Sequence, residues 1–316
     1  MTPLNSTGPS AVPSAVPSAA PNGGCSDQWI SWAAQLACFF EVLAEKPGNV
    51  TRTRDCSGLR LEQFLASAAA IGPAFAAASS SSVGGIIGKG VEHTRTLAGV
   101  NTNVGILLML APLARAAALH GPTDLRAGVA RVLAELTVED ARLAYAAILK
   151  AAPHGLDTVE EGDIRDTAID YTLREGMAMA KDRDTLAAQY VTDFELVFET
   201  GLAGLVRLLD EGRTLSQAVV HVFLTILAAV PDTDIARKTD PATARTISGR
   251  AAEALEAGSV FTAGGRAAVE RFDALVRDES RLYNPGTTAD LMAGALFALL
   301  ITRETPETIP ALLARW

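Results

Sequence analysis

Val100-Asn101-Thr102-Asn103-Val104-Gly105-Ile106-Leu107-Leu108 carries three small polar residues straight into an apolar segment, Val104 to Leu119, interrupted only by Gly105, Pro112 and Arg115. Thr or Asn just before an apolar run reads as a helix N-cap, because its side-chain oxygen accepts from backbone N–H groups that lack a partner in the first turn. The same N–H groups, with the positive end of the helix dipole, suit an anion. Thr102 and Asn103 are therefore either plain caps of a buried helix or part of an anion site. Pro112 is expected to kink that helix or divide it.

Helical spacing recurs on both sides of this stretch. On the N-terminal side, Trp29, Ile30, Ala33, Leu36, Ala37 and Phe40 mark a helix over Asp27 to Ala44 that stops at Lys46-Pro-Gly-Asn49. Leu61 to Phe75 and Val83 to Leu97 follow. Gly84-Gly-Ile-Ile-Gly-Lys-Gly90 lacks the spacing of a Walker A loop and reads as close helix packing. On the C-terminal side the pattern predicts helices over Thr123 to Ala134, Thr137 to Lys150, Ile164 to Met179, Thr185 to Asp210, Leu215 to Val230, Thr243 to Ala257 and Ala263 to Asp278, with a last one opening at Ala289. Thr158-Val-Glu-Glu161 and Thr214-Leu-Ser-Gln217 have capping-box spacing. No alternating β-branched run is long enough for a strand. The fold class is all-α, one multi-helix bundle over residues 27–316 behind a Pro-, Ser- and Ala-rich tail, residues 1–26, expected to be disordered.

Composition narrows the function. The 36 acidic residues outnumber the 27 basic ones, which argues against broad nucleic-acid binding but leaves room for a phosphorylated small molecule held by a few local cations or Mg²⁺. Cys25, Cys38 and Cys56 lack CxxC spacing and read as reduced thiols of a cytosolic protein. The histidines are scattered, so no His-rich metal site is expected. The apolar runs are too short to cross a membrane. Oligomeric state is not legible.

Four polar clusters sit where long helices start or stop: Lys46 to Asn49, Asn101 to Asn103, Asp232-Thr-Asp234 with Arg237-Lys238, and Asn284-Pro-Gly-Thr-Thr-Ala-Asp290. A bundle can bring them to one end. Asp232, Asp234 and Asp290 could hold Mg²⁺, while Lys46, Arg52, Arg237 and Lys238 could counter phosphate charge. Each cluster also reads as an ordinary turn or cap. Glu41 and Glu92 lie on apolar-looking helices, where a carboxylate is either functional or turned to solvent.

In these motifs the chain resembles the triphosphoribosyl-dephospho-CoA synthase family. Glu41 with Lys46-Pro-Gly-Asn-Val50, Gly88-Lys-Gly-Val-Glu92, Gly99-Val-Asn-Thr-Asn-Val-Gly105, Asp232-Thr-Asp-Ile-Ala-Arg237 and Asn284 to Asp290 follow the family's motifs in the same order. Departures occur where the family's His-Lys is Asn103-Val104, its Gly-Ala-His-x-Asp-Met is Gly58-Leu-Arg-Leu-Glu-Gln63, and its Gly-Tyr-Pro is Asp193-Phe-Glu195. They place the chain with a divergent branch seen in archaea and in bacteria with one-carbon (methanopterin-type) metabolism.

The resemblance implies an ATP-using transferase that moves the triphosphoribosyl group to the 2′-hydroxyl of 3′-dephospho-CoA and expels adenine. For that reaction, residue type assigns Asp232, Asp234 and Asp290 to the metal. Glu92 or Glu62, with Asp232, serves catalysis. Lys46, Arg52, Arg237 and Lys238 contact phosphates, Asn101, Thr102 and Asn103 the ribose or phosphates, and Gly48, Asn49 and Asn284 complete the substrate site. Two other readings stand beside it: ribosyl or phosphoryl transfer to another acceptor in one-carbon cofactor synthesis, and a helical binding protein without catalysis.

Overall fold

The computed structural model describes residues 23–151, 164–165, 169–277 and 280–316. In chain order the helices are α1 (Asp27–Leu43), α2 (Leu61–Ala70), α3 (Gly72–Phe75), α4 (Val83–Ala98), α5 (Val104–His120), α6 (Leu125–Ala134), α7 (Val138–Ala151), α8 (Leu173–Ala180) and α9 (Thr185–Val191). A π-helical turn, Leu196–Leu202, leads into α10 (Ala203–Asp210), α11 (Leu215–Ala229), α12 (Thr233–Lys238), α13 (Pro241–Glu256), α14 (Ala263–Val276), α15 (Gly286–Arg303) and α16 (Ile309–Leu313). No strand occurs among the described residues; an isolated bridge joins Cys56 to Leu59. The fold is all-α.

Two helices, α5 and α15, form the axis. Both are buried along most of their length, α5 packing on α1, α4, α6 and α15, and α15 on α1, α11 and the π-turn. Such helices gain little from propensity and much from apolar burial, so their ends can be given over to polar work. One cluster of buried apolar side chains runs from Cys25 to Leu312. No single helix among the described residues is long and apolar enough to cross a membrane.

Pro112 does not divide α5, which continues unbroken to His120. A proline at 112 has no N–H to give the carbonyl four residues back, that of Leu108. The hydroxyl of fully buried Tyr190 donates to that carbonyl at 2.7 Å, so the freed acceptor is satisfied from another helix.

The predicted helix from Thr185 to Asp210 is broken. Asp193 and Phe194 take positive φ, 51° and 61°, between α9 and the π-turn. Several bonds hold the break. Phe194 N–H donates to Gln189 O at 2.9 Å, Leu196 N–H to Gln189 Oε1 at 3.1 Å, and Arg174 pairs with Asp193 at 3.2 Å. Full burial of the Phe194 ring offsets a backbone cost of about 1–3 kcal/mol per strained residue.

Smaller differences follow the same logic. The helix predicted over Leu61 to Phe75 is interrupted at Ile71, before Gly72 and Pro73. Among the described residues, the one predicted over Ile164 to Met179 is present as α8, with Ile164 and Arg165 in a turn. The helix predicted from Ala289 begins at Gly286. The Thr214–Gln217 capping box is formed. Thr158 to Glu161 and residues 1–22 of the tail lie outside the described residues.

Candidate functional site

Ends of α1, α5, α9, α12 and α15, with one side of α8, surround a cleft of about 1590 Å³. Asn49, Asn101, Thr102, Asn103, Asp234, Arg237, Lys238, Asn284 and Asp290 line it, so all four polar clusters contribute. Lys46, Gly48 and Asp232 stand one layer behind, each bonded to a residue of the wall. Glu62, Glu92 and Arg52 are exposed and do not line the cleft. The two glutamates expected as base candidates therefore face solvent elsewhere.

The start of α5 is capped by Asn101, not by Thr102 or Asn103. Asn101 Oδ1 accepts from the N–H groups of Asn103 at 3.3 Å and Val104 at 3.1 Å. Thr102 shares a short hydroxyl contact with Ser67 on α2. The Asn103 side chain is left over. It is buried, and neither its Oδ1 nor its Nδ2 has a hydrogen-bond partner.

Asp232 is fully employed in the scaffold. Its Oδ1 accepts from Asp234 N–H at 2.9 Å and Ile235 N–H at 3.1 Å, capping α12. Its Oδ2 accepts from Thr288 N–H at 2.8 Å and Thr288 Oγ1–H at 2.7 Å, which ties α12 to α15. Burial and the neighbouring Asp234 push its pKa up to about 6, against the pull of those donors. A carboxylate with both oxygens so occupied does not fit a cation ligand or a catalytic base, the roles expected for it from sequence.

Asp234 holds two cations in the cleft. Its Oδ1 takes Arg237 Nη2 at 2.6 Å and its Oδ2 takes Lys238 Nζ. Arg237 Nη1 lies 3.6 Å from Asp184, the N-cap of α9, a carboxylate that the sequence pattern had not singled out although Asp184-Thr185 opens a helix. Arg245 and Arg281 also line the cleft, giving it a basic side suited to phosphates.

The other side is acidic. Glu41, near the C-terminal end of α1, lines the cleft and pairs with Lys46, whose ammonium has no solvent exposure. Lys46 Nζ lies 3.0 Å from Glu41 Oε1 and also donates to the Glu41 carbonyl oxygen. It faces away from the phosphates expected for it. Asp290, on the first turns of α15, is engaged by no hydrogen bond or ion pair. Burial raises its pKa well above the ordinary carboxylate range, and Glu41, Asp234, Asp232 and Asp184 push in the same direction.

A cation that travels with a triphosphate needs only one or two protein carboxylates, since phosphate oxygens and water complete its shell. Asp290 fits that need: it is unengaged, faces the cleft and sits in a surplus of negative charge. No group of three ligating side chains occurs among the described residues, so the triad Asp232, Asp234 and Asp290 is not a preformed cage.

The Lys46-Pro-Gly-Asn49 turn is tied to the Asn284 turn. Asn284 Nδ2 donates to Gly48 O at 2.6 Å and to Asn49 Oδ1 at 3.3 Å. Gly48 has φ +77°, and a Cβ there would meet Val276 Cγ2 at 2.9 Å and Pro285 Cδ at 3.0 Å, so only glycine fits. Its N–H donates to Asp273 Oδ1 at 2.8 Å.

The chain has the fold of a crystal structure from Archaeoglobus fulgidus whose proposed identity is triphosphoribosyl-dephospho-CoA synthase, with TM-score 0.58 and 24% identity, covering 76% of this chain and 100% of that one. No curated protein matches. The family described as CitG, ATP:dephospho-CoA triphosphoribosyl transferase, matches residues 27–308. With its helix ends gathered on one acidic and basic cleft, the chain belongs to this family of transferases.

Proposed function

We propose that this cleft transfers the triphosphoribosyl group of ATP to the 2′-hydroxyl of 3′-dephospho-CoA and releases adenine, within one helical domain of residues 27–316 in the cytoplasm. The observation that carries the reading is the cleft itself. Its volume of about 1590 Å³ holds unengaged Asp290 and paired Glu41 together with basic side chains that include Arg237, Lys238, Arg245 and Arg281. Single-ligand pockets usually span roughly 300–1000 Å³, so this one has room for donor and acceptor together.

Lys238, Arg237, Arg245 and Arg281 hold the phosphates, Asp234 keeps Arg237 and Lys238 in place, and Asp290 holds the Mg²⁺ that accompanies the phosphates. The metal, when bound, neutralises phosphate charge. Glu41 takes the proton of the attacking hydroxyl, and Lys46, 3.0 Å from its Oε1, holds the carboxylate in place. The C1′–N9 bond breaks with its electron pair leaving on adenine, the C1′–O2′ bond forms, and the hydroxyl proton ends on the departing base. Positive charge that develops on the sugar is stabilised by the same carboxylates. Asn101, Thr102, Asn49 and Asn284 contact ribose or phosphate. Asp232 and Gly48 act by positioning, and Glu62, Glu92 and Arg52 take no part.

Purified protein incubated with ATP, Mg²⁺ and dephospho-CoA should release adenine in step with acceptor consumed. Adenine release only with some other acceptor would move the reaction to a different substrate, and none with any acceptor would overturn the reading.

A further inference from the structure

The geometry points to Asn103 as the residue that reads the adenine base of the donor, its amide pairing with the N6 and N7 edge. This rests on the reaction proposed above, but on a separate observation. Asn103 is 5% exposed, lines the cleft, and leaves both Oδ1 and Nδ2 without a partner. Burying an amide unpaired is costly, and folded proteins keep such groups mainly where something else completes them. The capping work that would explain an Asn here is done by Asn101, two residues earlier. What remains is one donor and one acceptor, side by side in a plane.

That pair matches adenine. A side-chain amide can donate Nδ2–H to N7 and accept from the N6 amino group with its Oδ1, a bidentate fit that guanine refuses because its O6 and N7 both accept. Phosphates and ribose hydroxyls do not need this combination. The contact also serves the bond-breaking step. As the C1′–N9 pair moves into the imidazole ring, N7 gains electron density and its hydrogen bond strengthens, so Asn103 holds the departing base more tightly than the intact nucleotide. No proton changes hands in this contact.

The test compares ATP with 7-deaza-ATP, which keeps the amino group and lacks the N7 acceptor, by equilibrium binding to wild type and Asn103→Leu. Wild type should prefer ATP by about ten-fold or more. Asn103→Leu should bind ATP more weakly by a similar factor and bind both nucleotides alike. Since the substitution deletes an unpaired amide, its melting temperature should be equal or higher, which separates recognition from misfolding. Equal wild-type affinity for the two nucleotides, or a preference that survives in Asn103→Leu, overturns the assignment. Adenine release from ATP by a wild type indifferent to N7 would sink this inference alone. A protein that binds no ATP would sink both.

Discussion

Gly105, in the first turn of α5, lies directly against the carboxylate of Asp290 on α15: a Cβ at 105 would stand 1.9 Å from Asp290 Oδ2 and 2.4 Å from Cγ. The two helix starts approach so closely only because one of them has no side chain there. Gly105→Ala must push the carboxylate out of place. The expected outcome is a stability loss of about 1–3 kcal/mol together with a fall of at least roughly ten-fold in adenine release. Thermal melts and a chromatographic adenine assay would check both, and a variant with normal turnover would show that Asp290 tolerates displacement.

Asp290 should trade stability for activity. It is half-buried, with Glu41, Asp234, Asp232 and Asp184 all pushing its pKa up, so ionising it works against the fold. Asp290→Asn is expected to raise the melting temperature of the ligand-free protein and abolish adenine release. Wild type should gain further stability from Mg²⁺ with ATP, and the variant should gain much less. A variant stabilised equally by Mg²⁺ and ATP would remove Asp290 from the cation site.

Breaking the buried ion pair should be expensive. Lys46→Met leaves Glu41 unpaired, and removing one member of such a pair costs about 3–5 kcal/mol. Glu41→Gln combined with Lys46→Met should recover much of that stability while staying inactive. Chemical denaturation of the three proteins measures the recovery; a double variant no more stable than Lys46→Met would contradict it.

Asp232 predicts a pH signature. Its pKa in the folded, ligand-free protein is raised to about 6, above its value in the unfolded chain, so the native state holds the extra proton. Its contribution to stability is therefore fully present below the unfolded value near 4 and is lost as pH rises through about 6, flat thereafter. The span corresponds to about 3 kcal/mol. Asp232→Asn should lack that slope between pH 4 and 6. It should also be less stable above pH 6, where wild type offers an ionised carboxylate and the amide would turn a donor toward the donating Thr288 N–H or Asp234 N–H. Parallel pH dependences for the two proteins would refute the assignment.

Tyr190→Phe should leave the Leu108 carbonyl unpaired beside Pro112, at a cost of about 1–3 kcal/mol. Restoring the N–H with Pro112→Ala in the same protein should return part of it, and denaturation midpoints would tell. If Tyr190→Phe were neutral, the hydroxyl would not be the substitute donor described above.

The places where sequence reading succeeded and failed have separate physical causes. Helix identity and the convergence of the polar clusters were legible, because both follow from apolar periodicity and from caps at helix ends. Whether an Asp faces inward or outward at such an end was not. Asp232 and Asp234 are two residues apart, yet one is consumed by four scaffold donors and the other faces the cleft. Glu41 and Glu92 looked alike on their helices, and only packing turned the first toward the cleft and the second to solvent. The break at Asp193-Phe194 left no glycine or proline to betray it, since burial of the ring holds the strained backbone.

The Glu41–Lys46 pair has one more implication. Glu41 lines the large cleft and Lys46, bonded to it, lines a second hollow of about 370 Å³, so this charged pair is part of the wall between them. A sugar activated for attack does not distinguish a hydroxyl of its partner from one of bulk solvent. Thinning that wall, as Lys46→Ala would do, should let solvent reach the donor from behind and yield free ribose triphosphate in place of the coupled product.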